Sequence, residues 1–376
     1  MKKFLLLDMD GVLLEPRGYH RALQETVRVV GDALGYRDTT ITPEDITAFE
    51  VAGITSEWDS AAICAVMMLI PLWERFPNLT LPEDIRRWQR PRHALSPPEW
   101  VAVLGQLNQP PRESDAPGLR IEKLLGDGLA QKEIVDQILR DAAQIEGSLT
   151  HRIFQEFVLG SEIFTKTYGL DAWFETESYL QKYDRPMLAD TQRDELLAWL
   201  AHPEQRAAIF TNRPSQPPPG CFGTPEAEIG ARCVGLEMLP IVGFGDMFWL
   251  GEILGVYGRG LRKPSPVHVL SAMLRGIGWP QEQALETAAN FALCGSVDPV
   301  WREFDDTVFY VFEDTAAGLE SAVATTKLLA TLGLSSELHL LGVTDSPSKK
   351  AALEAVGAVV FPNLGAAFET VLFTDP

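Results

Sequence analysis

The chain is poor in cysteine: Cys64, Cys221, Cys233 and Cys294 are the only four in 376 residues, and no two form a CxxC pair. That scatter argues against structural zinc and against a disulfide framework, and fits a reduced, cytosolic protein. Positive charge is also scarce, with 32 Lys and Arg against 52 Asp and Glu and a formal net charge of -20. A general nucleic-acid binder needs a basic footprint, so no nucleic-acid partner is expected. The same deficit means that an anionic substrate must be met by a local cluster of basic side chains, or by a metal. Long apolar runs are missing too. The longest, Ala61 to Trp73, contains Pro71 and falls short of the ~20 residues of a bilayer span. It reads as a core helix. Phe4 to Leu7 stops at Asp8, short of the ~7–15 apolar residues of a signal peptide. A soluble, cytoplasmic protein with no membrane partner is expected, and no internal repeat is visible.

What remains is ordinary globular composition, 46% hydrophobic and 22% charged, with length enough for two domains or for one domain carrying a large insertion. The run that organises it is Lys3-Phe-Leu-Leu-Leu-Asp8-Met-Asp10-Gly11-Val12-Leu13. Four apolar residues are too few for a helix, and they end at two carboxylates spaced i, i+2. This pattern predicts a buried parallel strand that delivers Asp8 and Asp10 to its C-terminal edge. Open α/β sheets bind ligands at that edge. Gly11 lets the backbone turn without a Cβ, so a bulky anion can approach closely.

Beyond Leu13 the reading is helical for a long way. Helices are expected over Tyr19 to Leu34, from Thr42-Pro43 onward, over about Ser56 to Leu72, over Ala130 to Ile145, and over His151 to Tyr168 with Gly169 as C-cap. Between them, Pro91 to Gly118 is proline-rich and irregular. The α/β alternation then resumes. Arg206 to Phe210 is an apolar strand ending at Thr211-Asn212-Arg213-Pro214. Lys263-Pro264-Ser-Pro266 precedes a helix, and Thr307 to Phe312 is a β-forming run ending at Glu313-Asp314. Leu340 to Val343, Ala351 to Val356 and Ala358 to Phe361 read as strand, helix and strand. In one parallel sheet these strand ends share an edge, so their polar groups can converge.

The four segments, in this order, resemble the motifs of the haloacid dehalogenase superfamily. Asp8-Met-Asp10-Gly11-Val12-Leu13 matches its first motif and Thr211-Asn212-Arg213-Pro214 its second. Lys263-Pro264-Ser-Pro266 matches the third, and Glu313-Asp314-Thr-Ala-Ala-Gly318 the fourth. The resemblance implies an α/β fold: a Rossmann-like, doubly wound parallel-sheet core over residues 1–14 and 186–376, with a mainly helical cap inserted at 15–185. It implies Asp8 as the nucleophile that forms an aspartyl-phosphate, and Asp10 as general acid and then base. Thr211 would hydrogen-bond a phosphoryl oxygen and Lys263 would pair with Asp8 and the phosphoryl group, while Gly11, Asn212 and Arg213 would lie against the substrate. Arg213 is equally readable as a surface ion-pair residue. Mg2+ suits an all-oxygen site of Asp8, the Asp10 carbonyl and Asp314, with Glu313 acting directly or through water.

Asp10 narrows the reaction, because an ester oxygen needs a proton donor and the dehalogenating branch of this superfamily lacks an acid there. A phosphatase acting on a small phosphorylated metabolite is the leading expectation. A phosphomutase on the same core, or an idle protein-binding scaffold, stand as alternatives. Within the insertion, Thr55-Ser56-Glu57-Trp58-Asp59 is a polar turn, and Arg17, His20 and Arg21 follow the first motif. None of these residues names the substrate, and the oligomeric state stays open.

Overall fold

A computed structural model describes residues 2–52, 54, 56–80, 86, 95–102, 104 and 130–372, the side chains of 371 and 372 apart. Most of the proline-rich stretch from Pro91 to Gly118, and Thr55, lie outside the described residues. In chain order β1 (Lys2–Leu7) and β2 (Leu14–Glu15) come first. Among the described residues, these α-helices follow: α1 (Arg17–Leu34), α2 (Pro43–Val51), α3 (Glu57–Arg75), α4 (Lys132–Arg140), α5 (His151–Leu159), α6 (Ser161–Tyr168) and α7 (Tyr179–Tyr183). Then come β3 (Arg185–Pro186), α8 (Asp190–Leu200), β4 (Gln205–Phe210), α9 (Glu226–Val234), β5 (Ile241–Val242), α10 (Phe244–Leu254), α11 (Pro266–Gly276) and α12 (Gln281–Cys294). The chain closes with β6 (Thr307–Glu313), α13 (Ala316–Thr331), β7 (Ser336–Val343), α14 (Pro347–Ala355), β8 (Val359–Phe361) and α15 (Leu364–Leu372). It divides into two compact units, Met1–Pro16 with Asp184–Pro376, and Arg17–Tyr183.

The first unit is α/β. Its six strands run parallel in the order β5-β4-β1-β6-β7-β8. Alternate residues feed two separate cores, as the period of a strand requires. Phe4, Leu6, Phe210 and Val311 face a core completed by α11, α12 and α13. Leu5, Leu7, Ile209 and Phe312 face another completed by α8, α9 and α15. Both faces of β1 are therefore buried, which is why Phe4 to Leu7 carries no polar residue. The sheet is doubly wound and Rossmann-like, with helices on both faces. The chain moves outward from β1 to β4 and β5, then crosses to β6, so the order reverses beside β1. A separate two-stranded ribbon pairs β2 with β3.

The second unit is helical. α1 buries Tyr19, Leu23, Val27, Val30 and Leu34 along one face, and packs against α3, α5 and α7. α2 starts as its sequence predicts: Thr42 Oγ1 accepts from the Asp45 N–H at 3.2 Å and Asp45 Oδ2 accepts from the Thr42 N–H at 2.9 Å. α3 contains the apolar run around Pro71 and buries it on nearly every side. Two expectations need correction. The helix expected over His151 to Tyr168 is broken at Gly160, whose φ of 76° lies outside the helical region. A side chain there would strike the Ser178 backbone, so the break is set by a close approach that only glycine permits. The helix expected over Ala130 to Ile145 is α4, and it ends at Arg140. Among the described residues no helix is long and apolar enough to cross a membrane.

Candidate active site

Three adjacent strands deliver polar residues to one edge. Asp8 follows β1, and its N–H donates to the Phe312 carbonyl of β6 at 3.0 Å. Thr211 follows β4, with its N–H on the Val242 carbonyl at 3.0 Å. Glu313 ends β6 and Asp314 comes next. The turn after β1 is pinned by the Met9 carbonyl, which accepts from Leu13 and Leu14 at 2.9 and 2.8 Å. Gly11 has φ of 77°, and a Cβ there would run into the Asp314 carboxylate. Only glycine lets the first and fourth segments come this close.

Lys263 closes the cluster. Its side chain is 2% exposed, and Nζ donates to Asp8 Oδ1 and Glu313 Oε2, each at 2.6 Å. The ammonium also sits 3.9 Å from the centre of the Phe210 ring. The lysine lies in the turn ahead of α11 rather than in the helix, with a cis bond to Pro264. Three bonds hold that turn, the first from the Ser265 N–H to the Arg262 carbonyl at 2.7 Å. Ser265 caps α11 by accepting from the Val267 N–H, and the Ser265 carbonyl accepts from Ser321 Oγ of α13 at 2.6 Å.

One carboxylate oxygen from each of Asp8, Glu313 and Asp314 lies within 4.8 Å of the others. Burial and the neighbouring Asp8 charge push the Glu313 carboxyl up to about 8 and the Asp314 carboxyl up to about 6. Burial works against the Lys263 ammonium, but Asp8 and Glu313 outweigh it and raise its pKa. Lysine charge alone therefore does not balance three acids, and the cluster favours a further positive charge, a proton or a cation. Glu313 is the most committed of the three. Its Oε1 accepts from the Asp314 and Thr315 N–H groups at 3.2 Å and from Thr315 Oγ1 at 2.8 Å, while Oε2 takes Lys263. Gly318 leaves room for it, since a Cβ at 318 would overlap this carboxylate. Asp314 has fewer partners and is met by the Lys349 ammonium from α14. An all-oxygen donor set of this kind fits a hard divalent cation such as Mg2+.

The second segment behaves differently. Thr211 is buried, and its Oγ1 accepts from the Arg213 N–H at 3.1 Å. Asn212 is exposed. Arg213 is not at the surface: its guanidinium is buried and binds the carboxylates of Asp10 and Asp184. The Asp10 side chain is consequently not part of the three-acid group. Sequence reasoning missed Asp184 and Lys349. Asp184 precedes β3 as a lone acid, and Lys349 belongs to a lysine pair that resembles any solvated helix start. Neither carries a signal that would single it out.

No protein-family model and no curated protein matches the chain. Among solved structures, the X-ray structure of Northeast Structural Genomics Consortium target ZR25 is similar over 99% of both chains, at 18% identity and a TM-score of 0.66. The likeness is one of fold. Phosphatase Tt82 from Thermococcus thioreducens aligns over 93% of this chain and 99% of its own, at 14% identity and a TM-score of 0.42, too loosely to carry a function across.

Proposed function

We propose that the protein is a Mg2+-dependent phosphomonoester hydrolase of the haloacid dehalogenase type, acting on a small phosphorylated metabolite through an aspartyl-phosphate at Asp8. The observation that carries this reading is the meeting of Asp8, Lys263, Glu313 and Asp314, drawn from three separate segments, at the edge beside β1. Phosphoryl transfer needs a positioned nucleophile and neutralisation of charge on the equatorial oxygens. Asp8 supplies the first, and Lys263 part of the second.

In this reading Asp8 uses the carboxylate oxygen that Lys263 does not hold, and attacks phosphorus. The bond from phosphorus to the ester oxygen breaks as Asp10 gives that oxygen a proton. Water then attacks the aspartyl-phosphate, Asp10 takes up its proton, and inorganic phosphate leaves with Asp8 restored. The Thr211 hydroxyl donates to a phosphoryl oxygen while its oxygen keeps the Arg213 N–H. Asp8, Asp314 and the Asp10 carbonyl would hold Mg2+, which supplies charge neutralisation at the transferred group. Glu313, with both oxygens already bonded, serves by fixing Lys263 or through a water.

The test is a panel of phosphorylated sugars, acids, alcohols and nucleotides incubated with Mg2+, following inorganic phosphate and isomerised product together. Phosphate release on one narrow group supports the hydrolase and names its substrate. Isomerisation with little free phosphate replaces it with a mutase. Silence across the panel removes the enzyme reading.

A further inference from the structure

Arg213 is buried, and two carboxylates already occupy its Nε and Nη2. Its side chain is 1% exposed; Nε donates to the two Asp10 oxygens at 2.8 and 2.9 Å, and Nη2 donates to Asp184 Oδ2 at 2.9 Å. The two acids differ in situation, since Asp10 is 35% exposed and Asp184 is 0% exposed. One carboxylate reaches solvent and the other is enclosed. The loop that carries the arginine is fixed. Its N–H is on Thr211 Oγ1, and its carbonyl accepts from the Phe244 N–H at 2.8 Å. At Gly230 of α9 a side chain would press on Met9 and on the Arg213 guanidinium, so the group has no room to retreat.

A buried guanidinium matched by one carboxylate is stranded when that carboxylate leaves, which is strongly unfavourable. With a second, enclosed carboxylate beside it, the first can move without leaving an uncompensated charge. We propose that Arg213 is the positioning residue for Asp10, and that Asp184 is the permanent counter-charge that lets Asp10 turn from Arg213 to the leaving-group oxygen and back. The proposal rests on the phosphatase reading and extends it. It moves Arg213 from substrate contact to the control of the acid. No bond is made by Arg213 or Asp184; the only proton moved is the one Asp10 gives to the ester oxygen and regains from water.

The measurement is kcat and KM for aryl phosphates of graded leaving-group acidity, with the wild type, Asp184→Asn, Arg213→Lys and Asp10→Asn, each checked for folding by circular dichroism. Asp184→Asn removes the second negative charge beside the guanidinium and so holds Asp10 back; Arg213→Lys keeps the charge but loses the two-pronged grip. Each should lower kcat on the poorest leaving group by about 10-fold or more relative to the best, with KM changed by less than about twofold. A uniform loss across the series would make the pair merely structural. A rise in KM at constant kcat would return Arg213 to phosphate binding. If Asp184→Asn does not fold, Arg213→Lys decides alone. A wild type that releases no phosphate, or an Asp10→Asn protein whose losses ignore the leaving group, would instead bring down the phosphatase reading itself.

Discussion

Glu156 in the helical unit and Glu313 in the α/β unit are both completely buried and both accept from two backbone N–H groups and a basic side chain, but they keep different company. Glu156, in the helical unit, accepts from the Trp173 and Phe174 N–H groups at 2.6 and 2.9 Å, and from Arg152 Nε at 3.3 Å. Burial raises its carboxyl, but local donors from its own fold work against that. Glu313, in the α/β unit, lies among Asp8, Asp314 and Lys263, and its carboxyl is pushed up to about 8. One carboxylate finishes a fold; the other belongs to a set of charges gathered from distant parts of the chain. A buried acid is thus no sign of a site by itself. What distinguishes the site is that its acids face one another, so that a ligand or cation would relieve them.

The largest way to break the contrast is at Asp8, the proposed nucleophile. Asp8→Asn should lower turnover on the order of 10⁴-fold while the protein unfolds at or above the wild-type temperature, because an acid is removed from a crowd. A folded Asp8→Asn protein with near-normal phosphate release would erase the distinction. Lys263→Met should destabilise the metal-free protein by about 3–5 kcal/mol, since the ammonium between Asp8 and Glu313 is lost. Mg2+ should restore much of that in urea titrations. No change on losing this lysine would mean that the acids are not under tension.

Glu156→Gln tests the other region. It should cost about 1–3 kcal/mol of stability and leave kcat within about twofold. A tenfold fall in kcat in folded protein would show that the helical unit's carboxylate is part of the chemistry after all.

The pH response sharpens the account of the site. An unfolded chain has lost the Glu313 proton by about pH 4.5, whereas the folded, metal-free chain keeps it until about pH 8. Glu228, raised by burial to about 7, acts in the same direction. Between those values the folded state holds more protons than the unfolded one, so its stability falls as pH rises from about 4.5 to 8 for Glu313 and from about 4.5 to 7 for Glu228, by up to about 1.4 kcal/mol per pH unit and group. Mg2+ should flatten the share due to Glu313. Stability that rises with pH in the presence of a chelator would contradict this. The smallest effect is expected at Lys349. Its ammonium competes for Asp314, so Lys349→Met should tighten Mg2+ binding severalfold by calorimetry, and weaker binding would assign the lysine a supporting role.

Much of the α/β unit was legible because its strands announce themselves. Phe4 to Leu7, Ala207 to Phe210 and Val308 to Phe312 are largely apolar runs that stop at polar residues, and parallel sheets bury such runs on both faces. The meeting of Lys263 with Asp8 and Glu313 was legible only through the order of four motifs, since the partners lie 255 and 50 residues apart. The Gly160 break was hidden because apolar residues keep a helical period across it, from Phe157 to Phe164. α10 and α12 went unread: α10 is apolar on most sides and offers no amphipathic stripe. Arg213 was legible as a motif residue but not in its direction, because the Asp184 that turns it inward carries no pattern at all.

The account's central claim is that Asp8 carries the phosphoryl group, and it can be tested on the protein directly. The wild type is incubated with a turned-over phosphate monoester and Mg2+, quenched in acid within the first turnovers, digested and examined by mass spectrometry. The expected result is one phosphoryl group on the peptide containing Asp8, removable by hydroxylamine and missing from Asp8→Asn. Phosphate release without any phosphorylated peptide, or with the group on another residue, would contradict it.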